Sequence, residues 1–271
     1  MLRFAKAHAY GNDFIYVDSA LVGDAPLARL ARDMCDRRTG IGADGLILYT
    51  RLDEGASMIL LNSDGSRAEV SGNGLRGLAA LLLRHDDRAQ AGVTIRTDAG
   101  EKRVTRTARE SSRQTFRAAM GVPRDIRRVS LMAGGETLTA VLLDMGNPQC
   151  VLLGALPDDE RFRRLGAALE HHTMFAGGTN VEFAHVESPD RVRILIWERG
   201  CGPTLSSGTG SCASAVAAAS FGGASRDVEI VAPGGAQRVE WRDDGVYLTG
   251  WAELVCDGEW LRPAADVTRS S

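Results

Sequence analysis

The sequence predicts an α+β fold of two pseudo-symmetric halves, each a curled, mostly antiparallel sheet around a central buried helix. Three observations predict it: landmarks that recur at one spacing, short β-rich runs, and two helices without a polar face. "GNDFIYVD" begins at Gly11, and "GNPQCVLL" begins at Gly146. "LLNSDGS" around Asn62 corresponds to "LIWERGC" around Glu198, and "SGNGLRGLAALLL" from Ser71 to "SGTGSCASAVAAA" from Ser207. The interval is the same for the last two and differs by a single position for the first. Three landmarks in one order at offsets that agree to within one position argue for a duplicated unit. The halves are placed at 1–118 and 119–255, with the tail 256–271 joining the first.

Taken in order, the first half offers "FIYVD", "GLILYT", "SMILLN", "GVTIRT", "KRVTRT" and "QTFRAA", β-rich runs broken by Gly, Asp and Ser. The second repeats the style with "TLTAVLLD", "VEFAHV", "RVRILIW", "DVEIVA", "QRVEW" and "VYLTG". "PLARLARDMCDRR" and "DDERFRRLGAALEHH" are amphipathic and belong outside the sheets. The helix after Ser71 carries Leu75, Leu78, Ala79, Ala80, Leu81, Leu82 and Leu83, and the one after Ser207 is nearly all Ala and Ser with Cys212 and Val216. A helix with no wet face is buried. "TARESSRQ" is expected as the loop near the boundary.

Composition limits the function. Of 271 residues 44% are apolar and 25% charged, with net charge −3, which is a soluble globular balance. It offers no electrostatic case for nucleic acid or an anionic membrane. No stretch reaches bilayer-spanning length, and "MLRFAKAHAYGNDF" lacks the apolar core of a signal peptide, so a cytoplasmic protein is expected. The five cysteines (Cys35, Cys150, Cys201, Cys212, Cys256) are odd in number and lack metal-ligand spacing. Reduced thiols and no metal are expected.

The glycine turns carry the chemistry. A helix that begins inside a protein presents unpaired N–H groups and a partial positive charge, a site for a carboxylate or phosphate. Glycine lets a ligand approach the backbone closely. Ordinary N-capping by Ser71 and Ser207 is the plainer alternative for either turn alone; recurrence of the whole arrangement favours two helix starts facing one ligand across a cleft between the halves. A dinucleotide site is disfavoured, because the βαβ context and the spaced third glycine are missing.

These residues resemble the diaminopimelate epimerase family of pyridoxal-independent racemases and epimerases. The resemblance runs through "GNDF" at 11–14, "TGIGADG" at 39–45, "NSDGSRAEVSGNGLR" at 62–76, "MGNPQC" at 145–150, "TNVEF" at 179–183 and "ERGCGPTLSSGTGSCA" at 198–213. It implies a cofactor-independent isomerase that moves the α-proton of an amino acid with two cysteines, one per half, a thiolate removing the proton and a thiol returning one. A thiol titrates near neutrality and is tuned by a helix N-terminus. It also implies a homodimer in amino-acid metabolism, specifically lysine biosynthesis.

The positions matching the two cysteines are Ser71 and Ser207, and Cys201 and Cys212 are not evident substitutes. Three alternatives are open: an epimerase with both thiols exchanged for near-isosteric hydroxyls, a diverged isomerase or dehydratase for an amino-acid-like substrate, or an amino-acid-binding protein without turnover. By the resemblance, Gly72, Asn73, Gly208 and Thr209 hold the reacting carboxylate, and Asn12, Asn62, Asn147, Asn180, Glu198 and Arg199 hold the distal amino-acid end. Arg199 suits a carboxylate and Glu198 an ammonium. Gly45 replaces a usual glutamine, Gln149 a usual histidine, and Cys256 a usual dimer-interface tyrosine.

Overall fold

A computed structural model describes residues 1–68 and 70–261, and the expected tail therefore lies outside the described residues beyond position 261. The chain forms two compact units, Met1–Phe116 with the chain from Trp251, and Arg117–Gly250. The first unit holds β1 (Leu2–Ala9), β2 (Asn12–Asp18), α1 (Leu27–Cys35), β3 (Gly45–Leu52), β4 (Gly55–Asn62), β5 (Arg67–Ala68), α2 (Gly72–Leu82), β6 (Ala91–Thr97), β7 (Gly100–Glu110) and the start of β8 (Arg113–Gly121). The second holds β9 (Arg124–Ala133), β10 (Glu136–Asp144), β11 (Pro148–Leu153), α3 (Asp159–Glu170), β12 (Asn180–Ser188), β13 (Arg191–Glu198), β14 (Gly202–Thr204), α4 (Gly208–Ala217), β15 (Asp227–Ala232) and β16 (Gly235–Arg242). The last strand, β17 (Gly245–Trp260), begins in the second unit and ends in the first.

The repeat is written into strand register. Two pairs are parallel in each unit, β2 with β3 and β4 with β6 in the first, β11 with β12 and β13 with β15 in the second. Phe14 pairs with Gly45 as Gln149 pairs with Asn180, and Gly55 with Thr94 as Arg191 with Glu229. β1 pairs antiparallel with β2, as does its equivalent β10 with β11. The fold is thus the expected α+β one.

Alternation along the strands divides each sheet into an outer and an inner face. In the first unit Ile15, Val17, Leu46 and Leu48 pack with Leu30, Ala31 and Met34 of α1 on the outer face. In the second, Cys150, Val181 and Phe183 pack with Phe162, Leu165 and Leu169 of α3. The inner faces meet α2 and α4. Strands β1, β2, β6 and β7 contact α2, and β10 to β13, β15 and β16 contact α4. Residues 73–81 of α2 are all buried, so the apolar helix lies where the sequence demands. Its C-terminal end is closed by Arg106, which is wholly buried and donates to the carbonyls of Leu83, Asp86 and Arg88. A cation is favoured there by the helix dipole.

"TARESSRQ" differs from expectation. It continues β7, turns at Ser111 (φ 58°) and enters β8, making a tight hairpin. Its polar residues are exposed on the paired strands except Gln114, which is buried and donates to the Ala80 carbonyl at 3.0 Å, and strand pairing satisfies the backbone without a loop.

α2 approaches β2 closely because Gly77 has no side chain. A Cβ at Gly77 would lie 2.0 Å from the hydroxyl of Tyr16, which donates to the Gly74 carbonyl at 3.0 Å. Gly77→Ala is expected to destabilise the fold by about 1–3 kcal/mol through overpacking, measured as a lower urea midpoint. Adding Tyr16→Phe should recover part of that loss by removing the obstructing oxygen, and equal stability of Gly77→Ala and wild type would contradict the close packing.

Candidate active site

Both predicted serines stand at helix starts. Ser71 is extended (φ −128°, ψ 123°) and its Oγ accepts from the Gly74 amide at 3.1 Å. Ser207 repeats this (φ −133°, ψ 130°), accepting from the Gly210 amide at 3.2 Å. Each hydroxyl is therefore an N-cap, and the plainer alternative is realised at both turns. Capping satisfies one amide per helix. The amides of Gly72, Gly208 and Thr209 have no acceptor within their own helices. Ser207 is buried, as are Gly208 and Gly210, and Ser71 is half-buried. The anion-binding potential of each turn thus remains in place after capping.

A second element of the site repeats as well. Asn73 Nδ2 donates to Asn12 Oδ1 at 3.1 Å in the first unit, and Asn147 Nδ2 donates to Thr209 Oγ1 at 3.4 Å in the second. Asn12 and Asn147 are equivalent positions of the repeat, as are Asn73 and Thr209, so one contact has been kept with different side chains. In each unit it ties the start of the inner helix to the start of β2 or β11.

The units brace this contact differently. In the first, Asn12 Nδ2 donates to Asp44 at 2.8 Å, and Arg37 bridges Asp44 (2.9 Å) and Asp13 (2.7 Å). Lys6 meets Asp13 at 2.9 Å. Burial works against the Asp13 charge, but hydrogen bonds from Arg37 and Lys6 outweigh it and hold the carboxyl below the ordinary range. Behind Asn73 the wholly buried Arg76 donates to its Oδ1 and lies 5.8 Å from the Tyr10 ring centre. In the second unit Asn147 Oδ1 accepts from Gln149 at 2.6 Å, with no charged group in that contact.

The other expected residues divide. Asn180 is buried, donates to the Pro148 carbonyl at 3.2 Å and accepts from the Arg199 amide at 3.0 Å, fixing the end of β13. Glu198 accepts from Thr204 at 2.9 Å. The exposed Arg199 side chain reaches the Gly177 carbonyl at 3.3 Å. Asn62 donates to Ser66 at 3.0 Å and closes the turn after β4, the role of a turn former. Gly45, in place of a glutamine, has its Cβ position closed by the Leu61 carbonyl at 2.8 Å and the Phe14 ring at 3.1 Å.

Sequence reasoning missed Asp13, Arg37, Asp44 and Lys6. Two of these lie inside quoted motifs, Asp13 in "GNDF" and Asp44 in "TGIGADG", and a carboxylate set beside a glycine turn was the available signal. Among the described residues no cluster of His, Cys, Asp or Glu gathers as a metal site, and no helix is long and apolar enough to cross a membrane.

Comparison with known proteins fits this arrangement. The fold matches a probable proline racemase from Agrobacterium radiobacter K84 with a TM-score of 0.75 at 16% identity, over 98% of this chain and 95% of that one. It matches a hydroxyproline epimerase from Agrobacterium vitis, solved with trans-4-hydroxy-L-proline bound, with a TM-score of 0.69 at 14% identity, over 95% and 91%. The fold is thus one that racemases and epimerases share. Sequence comparison narrows the class further. The family profile for diaminopimelate epimerase matches residues 4–125 and 141–255. The diaminopimelate epimerase of Desulforudis audaxviator (strain MP104C) is 42% identical over 96% of this chain and all of its own length. That of Desulfitobacterium hafniense (strain DSM 10664 / DCB-2) is 37% identical over 97% and 99%. The chain belongs to the diaminopimelate epimerase family and is an isomerase.

The Asp13 cluster yields a pH prediction. Its folded value lies below the ordinary 3.8, so the stability it adds is present above that pH and is lost as pH falls through the folded value. Wild type is expected to lose stability more steeply below pH 3.8 than Asp13→Asn, followed by denaturant midpoints in an acid series. Parallel curves would mean that the Lys6 and Arg37 contacts do not form in solution.

Proposed function

We propose that this protein is a cofactor-independent epimerase that interconverts LL- and meso-diaminopimelate, with Ser71 and Ser207 at the base and acid positions. Inversion at an α-carbon requires that a proton leave one face and another arrive at the opposite face, so two groups of equal standing are needed. The supporting observation is the duplicated half-site. Each unit has a serine-capped buried helix, glycine beside the cap, and a polar side chain tied to an asparagine 61 or 62 residues earlier. Relatives that cover nearly the whole chain carry the name diaminopimelate epimerase.

In this proposal Gly72, Asn73, Gly208 and Thr209 stabilise charge on the reacting carboxylate as the α-proton leaves, which is where fixed N–H donors act most strongly. Asn12, Asn62, Asn147, Asn180, Glu198 and Arg199 receive the distal amino-acid end. Family membership supports a cytoplasmic homodimer working in lysine biosynthesis.

Serine sets the limit on rate. Its hydroxyl gives up a proton far less readily than a thiol, and a helix N-terminus contributes only about 0.3–1 kcal/mol. The Ser/Ser form is therefore expected to bind substrate and turn it over slowly. The capping hydrogen bonds at both serines favour a second reading, a binding protein without turnover, and drift to dehydration or another isomerisation is the third.

Ser71→Cys and Ser207→Cys together should raise incorporation of solvent deuterium at the α-carbon of diaminopimelate at least about 100-fold, the lower range for general acid–base catalysis. Absence of exchange with diaminopimelate, histidine and other amino acids in the double cysteine form would overturn the epimerase proposal. Water loss or isomerisation by the unaltered chain would establish drifted chemistry. Saturable thermal stabilisation by an amino acid, with no turnover in either form, would establish a binding protein.

A further inference from the structure

Glu182 is wholly buried in the second unit, and neither of its carboxyl oxygens has a hydrogen-bond partner among the described residues. Its neighbours Val181 and Phe183 point to the outer core against α3, so Glu182 points to the inner face, towards α4. The contact is close: a Cβ at Gly210 would lie 2.6 Å from Glu182 Oε1. Gly210 is the residue whose amide meets Ser207 Oγ. The carboxyl therefore lies against the first turn of α4, beside the capped end.

The first unit shows what the position requires structurally. Ile47 is the equivalent of Glu182 in the repeat, and it pairs with Tyr16 in the register that Glu182 keeps with Val151. A Cβ at Gly74, the equivalent of Gly210, would lie 2.7 Å from Ile47 Cδ1. Hydrocarbon fills this place in one unit and a carboxyl fills it in the other. Packing alone is satisfied by isoleucine, so the carboxyl answers a different need.

The surroundings favour its neutral form. α4 presents no charged residue, and Gln149, Val151, Ile194 and Ile196 occupy the inner-face positions of the flanking strands. The charged group that bears on it is Glu198, on the same face of β13, and an anion there opposes a second one. Burial first, and the Glu198 charge second, push the Glu182 carboxyl well above the ordinary 4.5. A carboxylate beneath the first turn of α4 would also occupy the positive end of that helix and repel a bound carboxylate.

We infer that Glu182 is a positioning residue that keeps its proton at neutral pH, so that the start of α4 carries no internal counter-anion and remains open to a ligand's carboxylate. This rests on the proposed carboxylate-binding role of the Ser207 turn. It adds an ionisable group to a half-site whose capping residue is itself not ionisable at neutral pH, and it makes ligand affinity sensitive to alkaline pH through a residue that never touches the ligand.

The test uses the full chain and Glu182→Gln, which is isosteric and permanently neutral, with Glu182→Ile held as a second variant that copies the first unit should the amide disturb folding. Infrared difference spectra of wild type minus variant should show the carbonyl stretch of a protonated carboxyl at neutral pH. Because the folded protein keeps a proton that the unfolded chain has released above 4.5, wild type should lose unfolding free energy relative to the variant as pH rises, about tenfold in equilibrium constant per pH unit until Glu182 ionises. Calorimetric titration with diaminopimelate should show wild-type affinity falling relative to the variant at the pH where the carbonyl band disappears. A missing band at neutral pH, or identical pH dependence of stability in wild type and variant, overturns the inference. Absence of diaminopimelate binding to both proteins, with the band present, overturns the proposed substrate and the ligand role of Glu182 together, and leaves the proton assignment standing.

Discussion

The constraint on which the molecule depends is the start of a helix inside a protein. A surface helix leaves its first amides to water, but α2 and α4 begin among buried residues, and their N–H groups must find acceptors or a ligand. Ser71 and Ser207 each satisfy one amide, a contribution of roughly 1 kcal/mol relative to alanine. The amides of Gly72, Gly208 and Thr209 have no acceptor within their own helices, and the dipole of each helix favours an anion over a cation beside them. The sheets, the outer helices and the tight glycines at Gly77 and Gly210 all serve to hold those helix starts in place.

Duplication kept the geometry and released the chemistry. The asparagine-to-helix contact persists as Asn12 with Asn73 and as Asn147 with Thr209, although the bracing behind it changes. A charged network of Lys6, Asp13, Arg37 and Asp44 stands behind the first; the neutral amide of Gln149 stands behind the second. Ionised side chains tolerate the first location because three of the four reach solvent or lie near it. In the second unit the equivalent ground is deeper, with Gln149, Asn180 and Glu182 all buried, and charge there would go unpaired at high cost. Only neutral groups suit it, which explains why an amide braces the asparagine.

Much of the fold was legible in the sequence, because the constant interval between repeated landmarks and the helices without a wet face are each sufficient to demand duplicated, helix-centred units. β9 was not legible: Arg127 and Arg128 point to opposite faces and both are exposed, as is Asp125, so alternation is masked by charge until β10 is seen beside it. Parallel pairing of β4 with β6 and of β13 with β15 was equally hidden, since register is decided by contacts between distant segments. At the site, the serines, the glycines and the asparagines could be named from motifs, but which side chain holds which could not. Glu182 shows why. In "TNVEF" the alternation of Val, Glu and Phe reads as one wet and one dry face, yet the strand is covered on both sides, and the residue that reads as solvated is wholly buried.

The serines set what this arrangement can do. A thiol placed at either helix start would be shifted towards its ionised form and would exchange protons near neutrality. A hydroxyl at the same place receives the same field, but its ionisation lies too far from neutrality for a helix terminus to reach it. It serves as a capping acceptor instead, and its remaining O–H can still be offered to a bound oxygen. Binding and proton transfer thus make separate demands on one position: binding needs the amides and a cap, which serine supplies, and proton transfer needs an ionisable atom, which it does not. Under the proposed function the rate of α-proton exchange would be governed by a single atom in each unit, oxygen where sulfur would serve.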